Sequence, residues 1–206
     1  MGEEVDSPKA RLRRELDVRR KMVAAAELAR ASLAICGRIA REAQFRRACH
    51  LVLYAARAGE VDPAPLEGII SHERAGTALY YPRVEHGGLV FRRSTLSELA
   101  PGRFGIPEPR ADATALVADA TEVVVVVPGL AFDRCGTRLG TGKGLYDRAL
   151  LAHRGAKRIG LTLAAWMLDR IPADPWDIPM HAIATEDELL VVDGAVGAHP
   201  GDSSWK

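Results

Sequence analysis

The densest apolar stretch in the chain is a run of five consecutive valines, Val123 to Val127, with no polar residue between them. β-branched side chains suit a pleated surface, and the lack of alternation predicts a strand covered on both faces. The run ends at Pro128-Gly129 and enters a segment holding Gly136, Gly140, Gly142 and Gly144, with helical spacing from about Lys143. Shorter runs predict strands at His50 to Tyr54, Ala78 to Pro82, Leu89 to Arg92 and Lys157 to Leu163, while Ala182 to Thr185 and Leu189 to Val192 could close the sheet edge. Ser7 as cap and Pro8 at the first helical position open a helix reaching Lys21, with Leu12 and Leu16 as its apolar stripe. An alanine-rich helix follows from Val23 to Ala43, another from Asp62-Pro63 to about Arg74, and a short one from Ala164 to Arg170. His86-Gly87-Gly88 forms a hairpin tip, and the Pro- and Gly-rich residues 101 to 112 predict no regular element. Strand, helix, strand order is the mark of an α/β fold with a parallel sheet, whose ligands sit beyond the carboxyl ends of the strands. Residues 7 to 193 form one domain on this reading, with flexible tails at 1 to 6 and 194 to 206.

Composition narrows the function. The 206 residues are 48% hydrophobic, enough for one sizeable core, and the formal charge of +1 argues against a general nucleic-acid binder. Cys36, Cys49 and Cys135 are odd in number and lack metal-ligand spacing, which fits a reducing cytoplasm. No apolar segment approaches the roughly 20 residues that span a bilayer, and the acidic start MGEEVDS lacks the apolar core of a signal peptide. The expectation is a cytoplasmic protein without membrane or nucleic-acid partners.

A buried strand, a glycine loop and a helix start together make a common phosphate-holding geometry. Neither usual motif names it. A Walker A loop needs a glycine where Thr137 stands and a hydroxyl residue where Gly144 stands, and the Rossmann spacing puts Leu145 at its third glycine. The loop reads either as a phosphate cradle of another type or as a flexible turn. The first helix carries seven basic residues between Lys9 and Lys21, of which Lys9, Arg13 and Arg20 project to one side. They form either a solvated face or an anion-binding arm. Glu60 lies just past a strand end, as a surface carboxylate or a ligand, and Phe104 and Ile106 either plug the core or offer a flat apolar contact. Asp147 is either a first-turn acid or, with Asp177, a magnesium ligand. There is no G-x-S-x-G nucleophile or H-E-x-x-H site, so the inventory suits phosphoryl transfer from a magnesium-bound nucleotide.

The run PGLAFDRCGTRLGTGKGLYDR resembles the signature of the 5-formyltetrahydrofolate cyclo-ligase family, also called methenyltetrahydrofolate synthetase. Lys9-Ala-Arg-Leu-Arg13, Gly59-Glu60-Val61-Asp62, residues 102 to 109 (GRFGIPEP) and Asp177-Ile-Pro extend the resemblance over nearly all of residues 8 to 192. It implies a single-domain, three-layer α/β/α fold and an ATP- and Mg2+-dependent conversion of 5-formyltetrahydrofolate to 5,10-methenyltetrahydrofolate. It further implies that Lys9, Arg13 and the loop Arg138, Leu139, Gly140, Thr141, Gly142, Lys143, Gly144, Leu145 and Tyr146 bind ATP. Lys143 and Arg138 would serve catalysis, and Asp147 and Asp177 would hold the metal. Ala55, Glu60, Phe104, Thr141 and Leu145 would meet the folate, in a protein acting as a monomer. The chain departs from the family's usual residues at Thr141, Leu145 and His181, of which His181 reads as structural. The alternatives are a paralogue acting on another formylated or folate-like substrate, and a nucleotide- or folate-binding protein without turnover.

Overall fold

The five valines lie at the centre of the molecule, each at most 3% exposed. The computed structural model describes residues 7–73 and 76–192. The valine run belongs to β6 (Val123–Pro128), flanked in parallel by β1 (His50–Val52) and β9 (Lys157–Leu161). Beyond β1 come β2 (Ala78–Glu85) and the antiparallel edge β3 (Gly88–Arg93). Beyond β9 come β11 (Ala182–Ala184), parallel, and β12 (Leu189–Val191), antiparallel, which forms the other edge. The predicted mostly parallel sheet is therefore present, with its two antiparallel strands at its margins.

Alternation within β6 divides the core into two layers. Val124 and Val126 pack with Ile35 and Ile39 of α2 (Ala25–Ile39) and with Leu66 and Ile70 of α4 (Ala64–Glu73). Val123, Val125 and Val127 pack with Ala149 and Leu150 of α5 (Leu145–Ala152). Both faces of the sheet are covered, as an all-apolar strand requires. The first helix, α1 (Pro8–Lys21), stands outside these layers and buries Leu16 against Ala131, Leu139 and Ile171. Its predicted start holds: the Ser7 hydroxyl accepts the Ala10 N–H at 3.2 Å, with Pro8 at the first turn.

Several predicted boundaries shift. The alanine-rich helix stops at Ile39 and a short α3 (Ala43–Arg47) follows. Residues 101 to 112 are not wholly irregular, because β4 (Ala100–Pro101) pairs with β5 (Pro107–Glu108) around a 3-10 turn. The expected helix at 164 to 170 is a 3-10 turn over Ala164–Trp166, followed by β10 (Met167–Leu168). Inside the predicted glycine loop lie β7 (Ala131–Asp133) and β8 (Arg138–Leu139), which with β10 form a second small sheet. The fully buried Asp133 closes their turn by accepting the N–H groups of Cys135 and Thr137, both at 2.9 Å. The helix after the loop begins at Leu145 rather than Lys143, since Gly144 takes a left-handed φ of 60°. Expectations for the two terminal tails fall outside the described residues.

The order β12-β11-β9-β6-β1-β2-β3 contains one reversal. From β1 the chain builds outward through β2 and β3, then crosses to the opposite side of β1 and continues through β6 and β9. Such a switch point splays the connections leaving two adjacent parallel strands and opens a crevice at their carboxyl ends. Among the described residues, no helix is long and apolar enough to cross a membrane.

Candidate functional site

The crevice beyond β1 and β6 is a cleft of about 400 Å³, bordered by Tyr54 and Ala55 after β1 and by Pro128 and Gly129 after β6. Helix α1 runs along it as a ruler. Successive residues turn by about 100° and rise about 1.5 Å, so Lys9, Arg13 and Arg20 share one face within about 40° and span about 16 Å. Each cation meets a different wall. Lys9 Nζ lies 2.6 Å from Asp174 Oδ2 and 2.5 Å from Asp177 Oδ2. Arg13 Nε donates to the Gly140 carbonyl at 2.9 Å. Arg20 donates to the carbonyls of Gly129 at 3.0 Å, Leu130 at 3.1 Å and Gly59 at 2.5 Å.

These three contacts show that Lys9, Arg13 and Arg20 do not form a merely solvated face. Lys9 and Arg13 line the cleft, whereas Arg20 is only 7% exposed and its guanidinium lies 4.1 Å from the Trp166 ring centroid. Burial lowers the Arg20 pKa, an effect opposed by the charge of Glu60. For Lys9, burial also acts to lower the pKa, but the bonds to Asp174 and Asp177 outweigh it and the net direction is upward.

Gly140, Thr141, Gly142, Lys143, Gly144, Leu145 and Tyr146 all border the cleft. A Cβ at Gly142 would touch Arg13 Cζ at 3.4 Å, and its φ of +95° is one that side chains rarely adopt. Helix α5 starts without a side-chain cap, so its first N–H groups receive no acceptor from a capping residue. Glycine backbone, the α5 N-terminus and the cations of Lys9, Arg13 and Lys143 therefore face one volume, an arrangement suited to polyphosphate.

Arg138 and Asp147 act on each other. Arg138 Nη2 donates to Asp147 Oδ2 at 2.8 Å, and the two side chains are 7% and 15% exposed. Asp147 Oδ1 lies 3.5 Å from the Ile178 N–H, which brings this carboxylate beside the Asp177 segment. Two carboxylates bordering that one volume could hold Mg2+, which commonly takes its remaining ligands from phosphate and water. No group of three or more His, Cys, Asp or Glu side chains suited to a metal occurs among the described residues. A dedicated protein cage for the metal is therefore absent from that part of the chain.

Near the Arg20 end of α1, Glu60 Oε2 accepts the Arg57 N–H at 2.9 Å and the Tyr54 hydroxyl donates to the Val61 carbonyl at 2.5 Å. Together with Arg20 on Gly59, these bonds fix the 57 to 61 loop. Burial first, and then the charge of Glu60, push the Tyr54 and Tyr146 phenols upward, so both stay protonated. Pro82, Val84, Leu89 and Ile106 add an apolar wall to the cleft. The Phe104 side chain lies outside what the structure describes; its neighbour Ile106 borders the cleft.

His181 lies away from the cleft, 5% exposed, with Nδ1 accepting the Arg158 N–H at 3.0 Å. Sequence reasoning passed over several cleft residues, among them Asp174, Trp176 and Glu108. Asp174 and Trp176 sit in the same D-P-W-D run as Asp177, a signal open to notice. Glu108 is 4% exposed and faces Arg83 at 3.5 Å, a placement that only the β4–β5 ladder reveals.

A model of the 5-formyltetrahydrofolate cyclo-ligase family matches residues 5–186. The chain belongs to this family. A relative named 5-formyltetrahydrofolate cyclo-ligase from Escherichia coli (strain K12) is 34% identical over 137 residues, covering 64% of this chain and 74% of the relative. The mouse protein of the same name is 28% identical over 203 residues, covering 89% of this chain and 96% of its own. The solved structure of Aquifex aeolicus 5,10-methenyltetrahydrofolate synthetase superposes with a TM-score of 0.79 at 30% identity, covering 96% of this chain and 100% of that one. The cyclo-ligase fold thus spans nearly the whole sequence, including α1 and the glycine loop.

Proposed function

We propose that the protein is a 5-formyltetrahydrofolate cyclo-ligase, converting 5-formyltetrahydrofolate to 5,10-methenyltetrahydrofolate while ATP is cleaved to ADP and phosphate. The observation that carries this reading is the cleft itself, where a cationic glycine loop, the Glu60 loop and an apolar wall border one volume along one face of α1. Such a site suits two substrates meeting end to end.

The formyl oxygen takes the γ-phosphoryl group, N10 attacks the activated formyl carbon, the carbon–oxygen bond to phosphate breaks, and N10 loses its proton as the cationic ring closes. Lys9, Arg13 and Lys143 neutralise the triphosphate, with Lys143 nearest the transferred group. The loop and α5 amides hold its oxygens, which leaves positioning and charge stabilisation as the protein's main contribution. Glu60 accepts pterin N–H donors, and the protonated Tyr146 phenol offers a donor beside it. Asp147 and Asp177 would hold Mg2+, which when bound offsets the charge of the phosphates. Arg138 holds Asp147 in place through the 2.8 Å bond.

A second reading rests on Thr141 and Leu145, which border the cleft without an aromatic face for the pterin, a pattern suited to another formylated substrate. Purified protein with 5-formyltetrahydrofolate, ATP and Mg2+ should generate methenyl product, followed by its near-ultraviolet absorbance. No product at any substrate concentration, with ATP still bound, would favour the second reading.

A further inference from the structure

Two tryptophans near the cleft are treated in opposite ways by the fold. Trp166 is 2% exposed beneath Arg20, whereas Trp176 is 69% exposed on the cleft border. A large exposed aromatic at the rim of a concave site is the informative kind of surface residue.

The turn that carries it is held firmly. The Asp177 N–H donates to the Asp174 carbonyl at 3.0 Å, and the Asp174 N–H donates to Asp177 Oδ2 at 2.8 Å. Both carboxylates also converge on Lys9. Pro175 restricts φ at the second position, so the indole projects from a pre-organised loop and loses little freedom on meeting a ligand.

Helix α1 tells which part of a ligand reaches this ring. The Trp176 turn is at the Lys9 end, and the Glu60 loop is at the Arg20 end, about 16 Å further along the helix axis. A nucleotide that presents its terminal phosphoryl group toward Glu60 must direct its base the other way.

We propose that Trp176 is the stacking platform for the purine base of the nucleotide and a specificity-determining residue of this site. The inference rests on the nucleotide reading given above. Stacking uses the ring face alone, so adenine and guanine nucleotides are both accepted while smaller pyrimidine rings bind less well. Inorganic triphosphate lacks a base and gains nothing from the indole.

The test compares ADP, GDP, UDP, inorganic triphosphate and 5-formyltetrahydrofolate by calorimetry on the purified full chain, using wild type, Trp176→Ala and Trp176→Phe. Expected are a loss of ADP and GDP affinity of about 5- to 100-fold in Trp176→Ala, a smaller loss in Trp176→Phe, and triphosphate affinity unchanged in both. ADP should also quench the wild-type tryptophan fluorescence, with most of that change missing from Trp176→Phe. Unchanged ADP affinity in Trp176→Ala overturns the proposal, as does equal weakening of ADP and triphosphate, which would mean a disturbed turn. A selective loss of reduced-folate affinity would assign the ring to the other substrate and also overturn it. Wild-type protein that binds neither ADP nor triphosphate would refute the nucleotide reading itself, an outcome separate from the other three.

Discussion

Lys9 and Asp177, separated by 168 residues in sequence, are joined at 2.5 Å, and Asp174 takes the same ammonium at 2.6 Å. The chain's first helix is thereby fastened to the turn that carries the proposed metal ligand. One lysine neutralises two carboxylates at the site where phosphate oxygens and a divalent cation are expected to gather.

Replacing that lysine should separate its two roles. Lys9→Met would remove the proposed phosphate contact, and the KM for ATP should rise about 10- to 100-fold, the range for losing a hydrogen bond to a charged group. It also leaves Asp174 and Asp177 adjacent without their cation. Nucleotide-free variant should therefore bind Mn2+ more tightly than wild type, as read by electron paramagnetic resonance. Because the Lys9 pKa is raised above 10.5, its contribution to stability is complete below that value and is lost as pH climbs through the folded-state pKa. An alkaline melting series should show this loss in wild type and not in Lys9→Met.

Asp147→Asn and Asp177→Asn should both suppress turnover more than 100-fold, on the order expected for groups that hold the reacting phosphates' counterion, yet differ in stability. Asp147 is the partner of Arg138, whose side chain is 7% exposed and whose Nε already lacks a hydrogen bond. Leaving that guanidinium without its counter-charge should cost about 3 kcal/mol, a fall in Tm of about 10 °C. Asp177→Asn leaves Lys9 with Asp174, so its melting point should change little. Thermal melts without ligands decide the comparison.

Arg20→Met is expected to act through Glu60. Three backbone carbonyls lose their donor, including that of Gly59 immediately before it. The KM for the reduced folate should rise about 10-fold, while that for ATP changes less than about twofold, because the loss falls on ground-state binding of one substrate. The Glu60→Gln background discriminates positioning from general damage. If Arg20 works by placing Glu60, its substitution there should add little, whereas independent effects would add in full.

His153 predicts the acid limb of stability. Burial holds its pKa below 6.5, and its ring lies 5.3 Å from Phe91. A depressed histidine means that the unfolded chain binds the proton first, so stability falls as pH drops below 6.5. Wild-type Tm should decline between about pH 7 and about pH 5, and His153→Gln should flatten that decline.

The sequence was most legible where one physical signal dominated. Five valines could only be a doubly covered strand, and Ser7-Pro8 could only begin a helix, because burial and capping are local demands. The glycine loop was legible as a place and less so as a shape. Its β7–β8 hairpin depends on Asp133 accepting the amide of Ile171, 38 residues away, besides the two of its own turn, and on Phe132 packing over Gly129 and Gly160, where an added Cβ would clash with the ring. Neither relation has a periodicity. The basic helix was ambiguous for a similar reason. Lys9, Arg13 and Arg20 share a face in any helical projection, but only the tertiary fold decides that two border a cleft and the third is buried beneath it. Glu108 lay inside the recognised run 102 to 109, but its burial at the cleft follows only from the two-residue ladder that places it. Trp176 was within reach, being one residue from Asp177, but nothing in its immediate sequence distinguishes a displayed indole from a core one.

The way α1 spans the cleft makes insertions and deletions far more harmful than substitutions. Arg11, Glu15 and Arg19 are exposed and free to vary in identity. Removing one residue between Arg13 and Arg20 would instead rotate the leading half of the helix by about 100° and draw it back by about 1.5 Å. Lys9 would swing away from Asp174 and Asp177, and Arg13 from Gly140, with every functional side chain still present. Relatives that share this site should therefore tolerate many changes of letter along this helix and no gap within it.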